Sequence, residues 1–473
     1  TGVDVWHGGP DQRFPDTWNK AIDICESNGG HLEVVGHHQS HAANAFYSSN
    51  FEEALIITID GGGEEADDNG SICNANFTVW TGHGNKLKRI MVLSDNGINK
   101  STNIGQFWTR CTKQIFGLSG GYPYGHQAGS VMAMAALGNK EKYYDEFFNH
   151  LKGYKHVDSF DYDKYKNKVY DQYDVAAALQ AATEQKIKDL IQHFLEKTKM
   201  KKLCMSGGVS LNCVMVGKLY EWFGDIVDDI YVDPIPYDAG LTLGSARYLW
   251  HHILDNPRIE WKDNTTSYLG FVYPESMIHN TLKEYDDRVV YEYVDDEKIV
   301  DLLIEQKIVS VFGKGSESGR RALGNRSILA DPRSKEMKAI INDKVKHRQW
   351  YRPFAPSVLR EHVKDWFIRD INSPYMSFAI PFKEEKSEQV AAVIHFDKTA
   401  RLQTVTKNDN EWYYNLINKF YEKTGVPILL NTSFNDREPI VEFPEHAIKC
   451  FLKTEIDYLY FYEPKILVRR KGA

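Results

Sequence analysis

The hydrophobic pattern in the first half of the chain alternates short apolar runs with helical repeats. Residues 54–60 (ALIITID) are apolar and β-branched and end at an aspartate followed by glycines, which predicts a buried strand leading into a tight turn. Apolar residues recur with helical spacing over 174–199, and residues 202–205 and 229–233 are further predicted strands. This order of strand, glycine turn and helix is typical of an α/β domain that binds ligands at its strand ends.

The pattern changes at residues 255–270, which are polar and rich in turn-forming residues. We interpret this segment as a linker between an α/β domain over residues 1–260 and an α+β domain over residues 261–473. Two domains also agree with the chain length of 473 residues. In the second domain the predicted elements are strands at 289–294, 307–312 and 427–430 and a helix at 297–306.

Composition and charge exclude several classes of protein. The chain is 42% hydrophobic and 26% charged, which is ordinary for a globular protein, and its net charge of −8 argues against binding nucleic acid through bulk electrostatics. None of the six cysteines forms a CxxC pair, so we expect reduced, buried thiols and no zinc ribbon. Because we find neither a membrane-length apolar run nor a signal pattern, we expect a cytoplasmic protein.

A histidine-rich segment, residues 35–46 (VGHHQSHAANAF), is the first candidate for chemistry. His37 and His41 are four positions apart, so on a helix they share one face and can chelate a divalent metal. A polar helix start with incidental histidines would produce the same spacing. His38 faces elsewhere and is a candidate substrate contact. Asp238, at a strand end in PYDAGLTLGSA, can complete a site of two histidines and one aspartate with open positions.

Two glycine-rich segments follow predicted strands. One is DGGGE, which contains Asp60, Gly61 and Gly62, and the other is SGGVSLN, which contains Gly207, Gly208 and Asn212. Glycine allows backbone N–H groups to approach phosphate oxygens because no Cβ intervenes. Each segment alone is often only a turn, so the order of all these motifs carries more information than any one of them.

The second domain contains three blocks that suit an anion site. Residues 317–333 (ESGRRALGNRSILADPR) place four arginines among glycines and an asparagine: Arg320, Arg321, Arg326 and Arg333. Arginine binds phosphate and carboxylate oxygens bidentately, so this block favours an anion pocket over a solvated charged surface. The second block, 343–356 (DKVKHRQWYRPFAP), adds Lys346, His347, Arg348 and Arg352. The third, 430–440 (LNTSFNDREPI), adds amides and hydroxyls from Asn431, Thr432, Ser433 and Asn435.

The motif order in the first domain, HHxxHA, DGxGE, SGGVxLN and DAGxxxGxA, resembles the actin/sugar-kinase/heat-shock-ATPase (ASKHA) superfamily. Within it, the chain resembles the NodU/CmcH (TobZ-like) O-carbamoyltransferases. Residues 125–138 (GHQAGSVMAMAALG) are similar to a glycine-led helix of that family, with Ser130 where lysine is usual. The resemblance implies metal binding by His37, His41 and Asp238, and nucleotide binding by Asp60, Gly61, Gly62, Gly207, Gly208 and Asn212.

In the second domain, RALGNRSILADPR, RPFAP and LNTSFN resemble the C-terminal YrdC-like domain of the same family, with Ser318-Gly319-Arg320 where Phe-Gly-Pro is usual. The resemblance covers the chain from about residue 14 to its end. It implies a site for carbamoyl phosphate and ATP. The implied catalytic residues are Arg321, Arg326 and Arg352, and the implied cofactor-binding residues are Lys346, Asn431, Ser433 and Asn435.

The activity that this resemblance implies has two steps. ATP and carbamoyl phosphate form carbamoyladenylate and pyrophosphate, and the carbamoyl group then passes to an unidentified acceptor hydroxyl. The implied metal is divalent iron, magnesium or manganese, and His38 is the candidate for accepting the hydroxyl proton. Nucleic acid enters only as an acceptor, no membrane is involved, and a homodimer is compatible with this interpretation.

Two alternatives stay open at this point. One is threonylcarbamoyl transfer to transfer RNA, which the complete RALGNRS and RPFAP blocks and the acidic net charge disfavour. The other is a nucleotide-binding regulator without catalytic activity. Its main support is the segment before Phe14-Pro15, which is shorter than the strand hairpin with an HDxSA-like motif that family members carry there. We expect either a truncated chain or an enzyme that lacks the hairpin.

Overall fold

The computed structural model describes residues 15–30, 32–118, 127–166, 168–260 and 267–472. The segment before Pro15 and the first two residues of the 125–138 motif lie outside these ranges. The chain divides into two compact units: the first holds residues 1–215 and 219–261, and the second holds residues 216–218 and 262–473. Each unit contains helices and one β-sheet, which confirms the predicted mixed α/β class.

The first unit contains ten helices and five strands in its described residues. The helices are α1 (Pro15–Ser27), α2 (His37–Ser48), α3 (Ile104–Gln114), α4 (Ala128–Ala135), α5 (Tyr144–Leu151), α6 (Asp163–Lys166), α7 (Gln172–Thr198), α8 (Cys213–Gly217), α9 (Leu219–Phe223) and α10 (Leu241–Arg247). The strands are β1 (Glu53–Ala66), β2 (Ile72–His83), β3 (Lys86–Ser94), β4 (Lys202–Ser206) and β5 (Asp229–Val232).

The sheet of the first unit has the order β3-β2-β1-β4-β5. β3, β2 and β1 are antiparallel, whereas β1, β4 and β5 run parallel, with Thr58 beside Ser206 and Met205 beside Val232. The segments that follow these three parallel strands therefore leave the sheet at the same edge. α2 packs on the sheet through a core that includes Phe46, Ile56 and Trp80.

The glycine run after Asp60 differs from the prediction. It is not a turn, because β1 continues through it to Ala66. The pairing of β1 with β2 shifts between Ile59 and Gly63, so the intervening residues form a bulge. A bulge keeps the strand hydrogen-bonded on both sides while re-aiming its side chains. Here it affects Asp60, Gly61 and Gly62.

The second unit contains seven helices and nine strands in its described residues. The helices are α11 (Glu275–Glu284), α12 (Asp296–Ile304), α13 (Met337–Lys344), α14 (Val363–Trp366), α15 (Glu384–Ser387), α16 (Glu411–Thr424) and α17 (Pro444–Lys453). The strands are β6 (Val289–Tyr293), β7 (Val309–Phe312), β8 (Arg326–Ala330), β9 (Ala355–Leu359), β10 (Phe378–Pro381), β11 (Thr399–Val405), β12 (Ile428–Ser433), β13 (Tyr458–Phe461) and β14 (Ile466–Arg470).

These nine strands form one mixed sheet with the order β10-β11-β9-β12-β8-β7-β13-β14-β6. The three predicted strands correspond to β6, β7 and β12, and the predicted helix corresponds to α12. The strands β8 and β9, which lie in the middle of the sheet, were not predicted. β8 and β9 are buried at every position, so they lack the alternation of apolar and polar residues that marks a half-exposed strand. Among the described helices, none combines the length and the apolar character needed to cross a bilayer.

Candidate functional site

The first site is built around the N-terminal turn of α2. His37 and His41 project from one face of this helix, and their ring centroids are 4.9 Å apart. Room for His37 depends on the β1 bulge: a Cβ on Gly63 would lie 2.2 Å from the His37 ring. The buried carboxylate of Glu65 accepts a hydrogen bond from the backbone N–H of Gln39 at 3.0 Å, which satisfies one free amide at the helix start.

Two carboxylates reach the histidines from other elements. Asp60, in the bulge of β1, places Oδ2 2.9 Å from His37 Nε2 and 3.5 Å from His41 Nε2. Asp238, in the turn before α10, places Oδ1 3.9 Å from His37 Nε2 and 3.8 Å from His41 Nε2. α10 is held against α2 by a hydrogen bond between the hydroxyls of Ser40 and Ser245 at 2.9 Å.

The four side chains fit a divalent metal ion. Each offers one ligand atom, and these atoms all lie within 4.8 Å of one another. His41 is fully buried, and within the described part of the chain neither of its ring nitrogens has a hydrogen-bond partner. A buried polar atom without a partner is costly, and a metal would relieve that cost. Two imidazoles and two carboxylates form a mixed nitrogen and oxygen donor set of the kind that suits iron or manganese.

Electrostatics reinforce this grouping. Burial opposes the charge on Asp60, but the hydrogen bond with His37 and the charges of His41 and His37 outweigh it and hold the pKa of Asp60 well below its usual range. Burial also lowers the pKa of His41, yet the Asp238 and Asp60 carboxylates outweigh it and raise that pKa to about 9. Asp60 was predicted as a nucleotide contact, and the structure instead groups it with the candidate metal ligands.

The structure gives His38 a different setting from the one expected. It was predicted to contact substrate and to accept a proton, but it is fully buried. Its Nε2 donates to the carbonyl of Ala75 at 3.0 Å, and its Nδ1 lies 2.6 Å from the hydroxyl of Thr58. Trp80 Nε1 donates to Thr78 at 2.7 Å, and Thr78 lies 2.6 Å from Thr58, so the chain of donors ends at Nδ1.

This arrangement leaves His38 no capacity for a further proton. Both nitrogens are engaged, and burial, followed by the charges of His37 and His41, lowers its pKa to about 3. His38 therefore holds α2 on β1 and β2 as a neutral side chain and is not suited to act as a catalytic base.

The two glycine segments meet at the sheet edge because β1 and β4 are parallel neighbours. The backbone N–H of Gly208 donates to Asp60 Oδ1 at 2.9 Å, and Asn103 donates to the carbonyl of Gly61 at 2.9 Å. Gly207 has φ +88° and approaches β1 so closely that a Cβ would lie 2.2 Å from the carbonyl oxygen of Ile59.

Asn212, at the end of the second glycine segment, has a structural role. It accepts hydrogen bonds from Gln180 Nε2 at 3.1 Å and from the backbone N–H of Met215 at 3.1 Å. Its amide nitrogen donates to Gln180 Oε1 at 2.9 Å. The predicted nucleotide contact of Asn212 is thus replaced by pairing with α7 and capping of α8.

The arginine block of the second unit is only partly available to a ligand. Arg326, predicted to be catalytic, is fully buried, and its guanidinium lies 3.6 Å from the centroid of the Phe312 ring. It donates to the carbonyls of Gly313 at 2.6 Å, Asn325 at 2.9 Å and Lys314 at 3.1 Å. These bonds tie β8 to the end of β7, so the structure gives Arg326 a structural role instead.

The rest of the block is organised around two acidic residues. Glu317 is buried and accepts hydrogen bonds from the backbone N–H groups of Leu323 at 2.6 Å and Asn325 at 2.9 Å, which holds the loop before β8. Arg333 donates to Asp331 through both Nε and Nη2, at 3.0 and 2.6 Å. Arg321 lies half-buried in the loop that Glu317 organises.

A second candidate site lies where α13 meets the end of β12. Lys346 is 3% exposed, and its Nζ donates to the carbonyl of Ser433 at 2.6 Å and to Asn435 Oδ1 at 2.7 Å. Ser433 also donates its hydroxyl to Asn435 Oδ1 at 2.7 Å. Burial and the nearby Arg348 hold the pKa of Lys346 well below its usual value. These three residues, predicted from two separate blocks of sequence, therefore come together.

Several partly buried cations lie in the same region as Lys346. Burial and the charges of Arg352 and Arg401 hold the pKa of Arg348 well below its usual value. Burial and the charge of Arg401 lower the pKa of Arg352. Burial and the charge of Arg348 lower the pKa of Lys338. Positive charges crowded together out of water are costly, and an anion would relieve the repulsion. We call Lys338, Lys346, Arg348, Arg352 and Arg401 the cation cluster.

Sequence reasoning missed part of this cluster. Arg401 lies on β11, which is joined to β9 and β10 but carries no recognisable motif.

Asn431 was predicted to bind cofactor, but it is fully buried and donates to Ala322 O at 3.2 Å, Ser357 Oγ at 3.0 Å and Gln403 Oε1 at 2.9 Å. We assign Asn431 to an interior polar network.

Two family models match the chain in these same regions. The carbamoyltransferase N-terminus matches residues 16–247, and the carbamoyltransferase C-terminus matches residues 300–469. The chain belongs to the carbamoyltransferase family. This confirms the resemblance to the NodU/CmcH family and the prediction that the protein is a carbamoyltransferase enzyme.

Sequence relatives support the assignment over most of the chain. An uncharacterized protein of Synechocystis sp. is 34% identical over 89% of this chain and 74% of its own length. The nodulation protein NolNO of Sinorhizobium fredii is 34% identical over 92% of this chain, which spans 64% of that relative. The chain is also similar to a solved structure of T. kodakarensis HypF, with 15% sequence identity and a TM-score of 0.35. The match covers 51% of this chain and 39% of the HypF chain.

Proposed function

We propose that this protein is an ATP-dependent O-carbamoyltransferase that works through a carbamoyladenylate intermediate. The observation that carries the proposal is the cation cluster, in which Lys346, with its partners Ser433 and Asn435, lies near partly buried arginines. Carbamoyl phosphate and ATP are both phosphate-rich anions, so this site suits the first step. We further propose that the first unit is an ASKHA domain and the second a YrdC-like domain.

In the first step, water cleaves carbamoyl phosphate to carbamate and phosphate. A carbamate oxygen then attacks the α-phosphorus of ATP, which forms carbamoyladenylate and releases pyrophosphate. The cation cluster neutralises the charge that builds up on the phosphate oxygens, and it does so in a largely dry site where such interactions are strong. Lys346, Arg348 and Arg352 are the proposed phosphate contacts, and Arg321 of the neighbouring motif is a further candidate.

In the second step, the oxygen of an acceptor hydroxyl attacks the carbamoyl carbon, and AMP leaves. A divalent metal held by His37, His41, Asp60 and Asp238 would supply a Lewis acid that polarises the carbamoyl carbonyl. Gly208 holds Asp60 in place through its N–H, and His38 keeps the first turn of α2 fixed. Gly61, Gly62 and Gly207 lie beside this group, which supports a nucleotide contact at the same edge of the sheet.

The proposal is tested by measuring pyrophosphate released from ATP with and without carbamoyl phosphate. Lys346→Met should lower this release by at least about a hundredfold, because the buried ammonium that orders the phosphates is lost. Lys344→Met is the matched control, since Lys344 is half-exposed at the end of α13 and pairs with Glu455 at 3.1 Å. Pyrophosphate release that does not depend on carbamoyl phosphate would contradict the proposal.

A further inference from the structure

Two exposed aromatic rings lie beside the cation cluster. Trp350 is 59% exposed and Phe396 is 44% exposed. Their ring centroids are 5.5 Å apart with an interplanar angle of 83°, so one ring meets the other edge-on. Tyr351 contacts Trp350 in the same edge-on way, with centroids 5.8 Å apart. Two neighbouring rings thus brace the indole while much of its surface remains open to solvent.

One buried side chain ties this indole to the arginines. Asn342 is 2% exposed and accepts a hydrogen bond from Arg348 Nε at 2.7 Å. Its amide donates to the carbonyl of Trp350 at 3.4 Å and to that of Arg352 at 3.0 Å. Asn342 therefore holds the backbone of Trp350 near the Arg348 guanidinium and the backbone of Arg352.

Phe396 is linked to the same cations from the other side. Lys338 places its ammonium 4.4 Å from the centroid of the Phe396 ring, and Arg348 is near enough to lower the pKa of Lys338. The aromatic pair and the cation cluster therefore form one continuous surface within the second unit. A polyanion would suit the cations, and a planar ring would suit the indole.

A nucleoside triphosphate combines both features in one molecule. We propose that Trp350 is the stacking surface for the adenine base of ATP, with Phe396 as its edge-on support and the triphosphate on the cation cluster. This inference rests on the proposed function, which it deepens by naming a residue that selects the nucleotide base. An aromatic face accepts any flat base, and the stacking contributes affinity without contacting the reacting phosphorus.

The test compares the binding of ATP and of inorganic triphosphate by titration calorimetry. In the wild-type protein ATP should bind more tightly than inorganic triphosphate. Trp350→Ala should weaken ATP binding about tenfold and leave triphosphate binding unchanged, whereas Trp350→Phe should retain most of the affinity for ATP. In pyrophosphate release, Trp350→Ala should raise the KM for ATP about tenfold and leave the KM for carbamoyl phosphate unchanged. Trp250→Ala is the matched control, because Trp250 is 50% exposed in the first unit.

The outcomes separate this inference from the proposed function. If Trp350→Ala binds ATP as tightly as the wild type does, the stacking role is wrong and the phosphate site stands. Equal affinity of the wild type for ATP and for triphosphate would also overturn the stacking role alone. If the wild type binds neither compound, the proposed function fails and the stacking role fails with it. Self-association that Trp350→Ala abolishes, without any change in ATP affinity, would assign the indole to an interface between copies of this chain.

Discussion

Asp60 Oδ2 lies 2.9 Å from His37 Nε2, although the two residues are 23 positions apart in the chain. The contact forms because β1 continues through a bulge at Asp60, next to the first turn of α2. It makes Asp60 a candidate metal ligand beside His41 and Asp238. The two-histidine, one-aspartate site expected from the sequence thereby gains a second carboxylate.

Asp60→Asn should lower the metal content of the protein. The amide removes a negative charge from a donor set of two histidines and two aspartates, so we expect at least a tenfold loss of affinity for iron(II) or manganese(II). Metal content after reconstitution is measured by elemental analysis. Asp68→Asn is the control, because Asp68 is exposed and bonded to Asn99. Full metal content in Asp60→Asn would show that Asp60 is not a ligand.

Arg326→Ala should lower the stability of the protein, whereas Arg352→Ala should lower its activity. Arg326→Ala removes a fully buried side chain together with its hydrogen bonds to the carbonyls of Gly313, Lys314 and Asn325, so we expect a loss of about 3 kcal/mol or more in the free energy of unfolding. Arg352→Ala removes one of several crowded cations, so it should fold normally and lose carbamoyl-phosphate-dependent pyrophosphate release. Chemical denaturation and the pyrophosphate assay distinguish the two. A stable Arg326→Ala protein would contradict the structural role of Arg326.

His38→Gln should change stability more than chemistry. Glutamine keeps a donor and an acceptor, but it matches the geometry between Thr58 and Ala75 poorly, so we expect a loss of about 1–2 kcal/mol in unfolding free energy. The dependence of carbamoyl transfer on pH should stay the same as in the wild type. Loss of the acidic limb of that pH profile, where a base becomes protonated and inactive, would restore His38 as the proton acceptor.

His150 should make the protein sensitive to acid. It is 3% exposed and stacks on Phe107 with centroids 4.8 Å apart, and burial, aided by Lys155, lowers its pKa to about 4. The unfolded chain binds this proton near pH 6.5 and the folded protein does so only near pH 4, so stability falls as the pH drops through this window.

His150→Phe removes that proton and keeps the aromatic stacking. Relative to the wild type, the variant should gain about 2 kcal/mol of unfolding free energy between pH 8 and pH 5. Denaturation at both pH values measures the difference. His83→Phe is a suitable control, because His83 is exposed at the end of β2. An equal response of wild type and His150→Phe to pH would show that His150 titrates normally.

Local sequence was enough to predict much of the fold and some of each site. α7, β4, β5 and α12 were predicted to within a few residues, because apolar spacing and flanking turn residues depend only on neighbouring positions. His37 and His41 were paired because their spacing matches a helical turn. The central strands β8 and β9 escaped because burial on both faces removes the alternating pattern.

The amino-acid sequence by itself determined the family, the helical histidine pair and the motifs that are candidates for binding phosphate. Only the tertiary structure decided which members of those motifs are available to a ligand. Arg326 and Arg352 look equivalent in sequence. In the structure Arg326 donates to backbone carbonyls, whereas Arg352 is a member of the cation cluster. For the same reason, His38 holds α2 on the sheet and is not placed as a base, and Asp60 joins the candidate metal ligands. Burial and hydrogen-bond partners come from strands distant in the chain, and they set what a charged or titratable side chain can do.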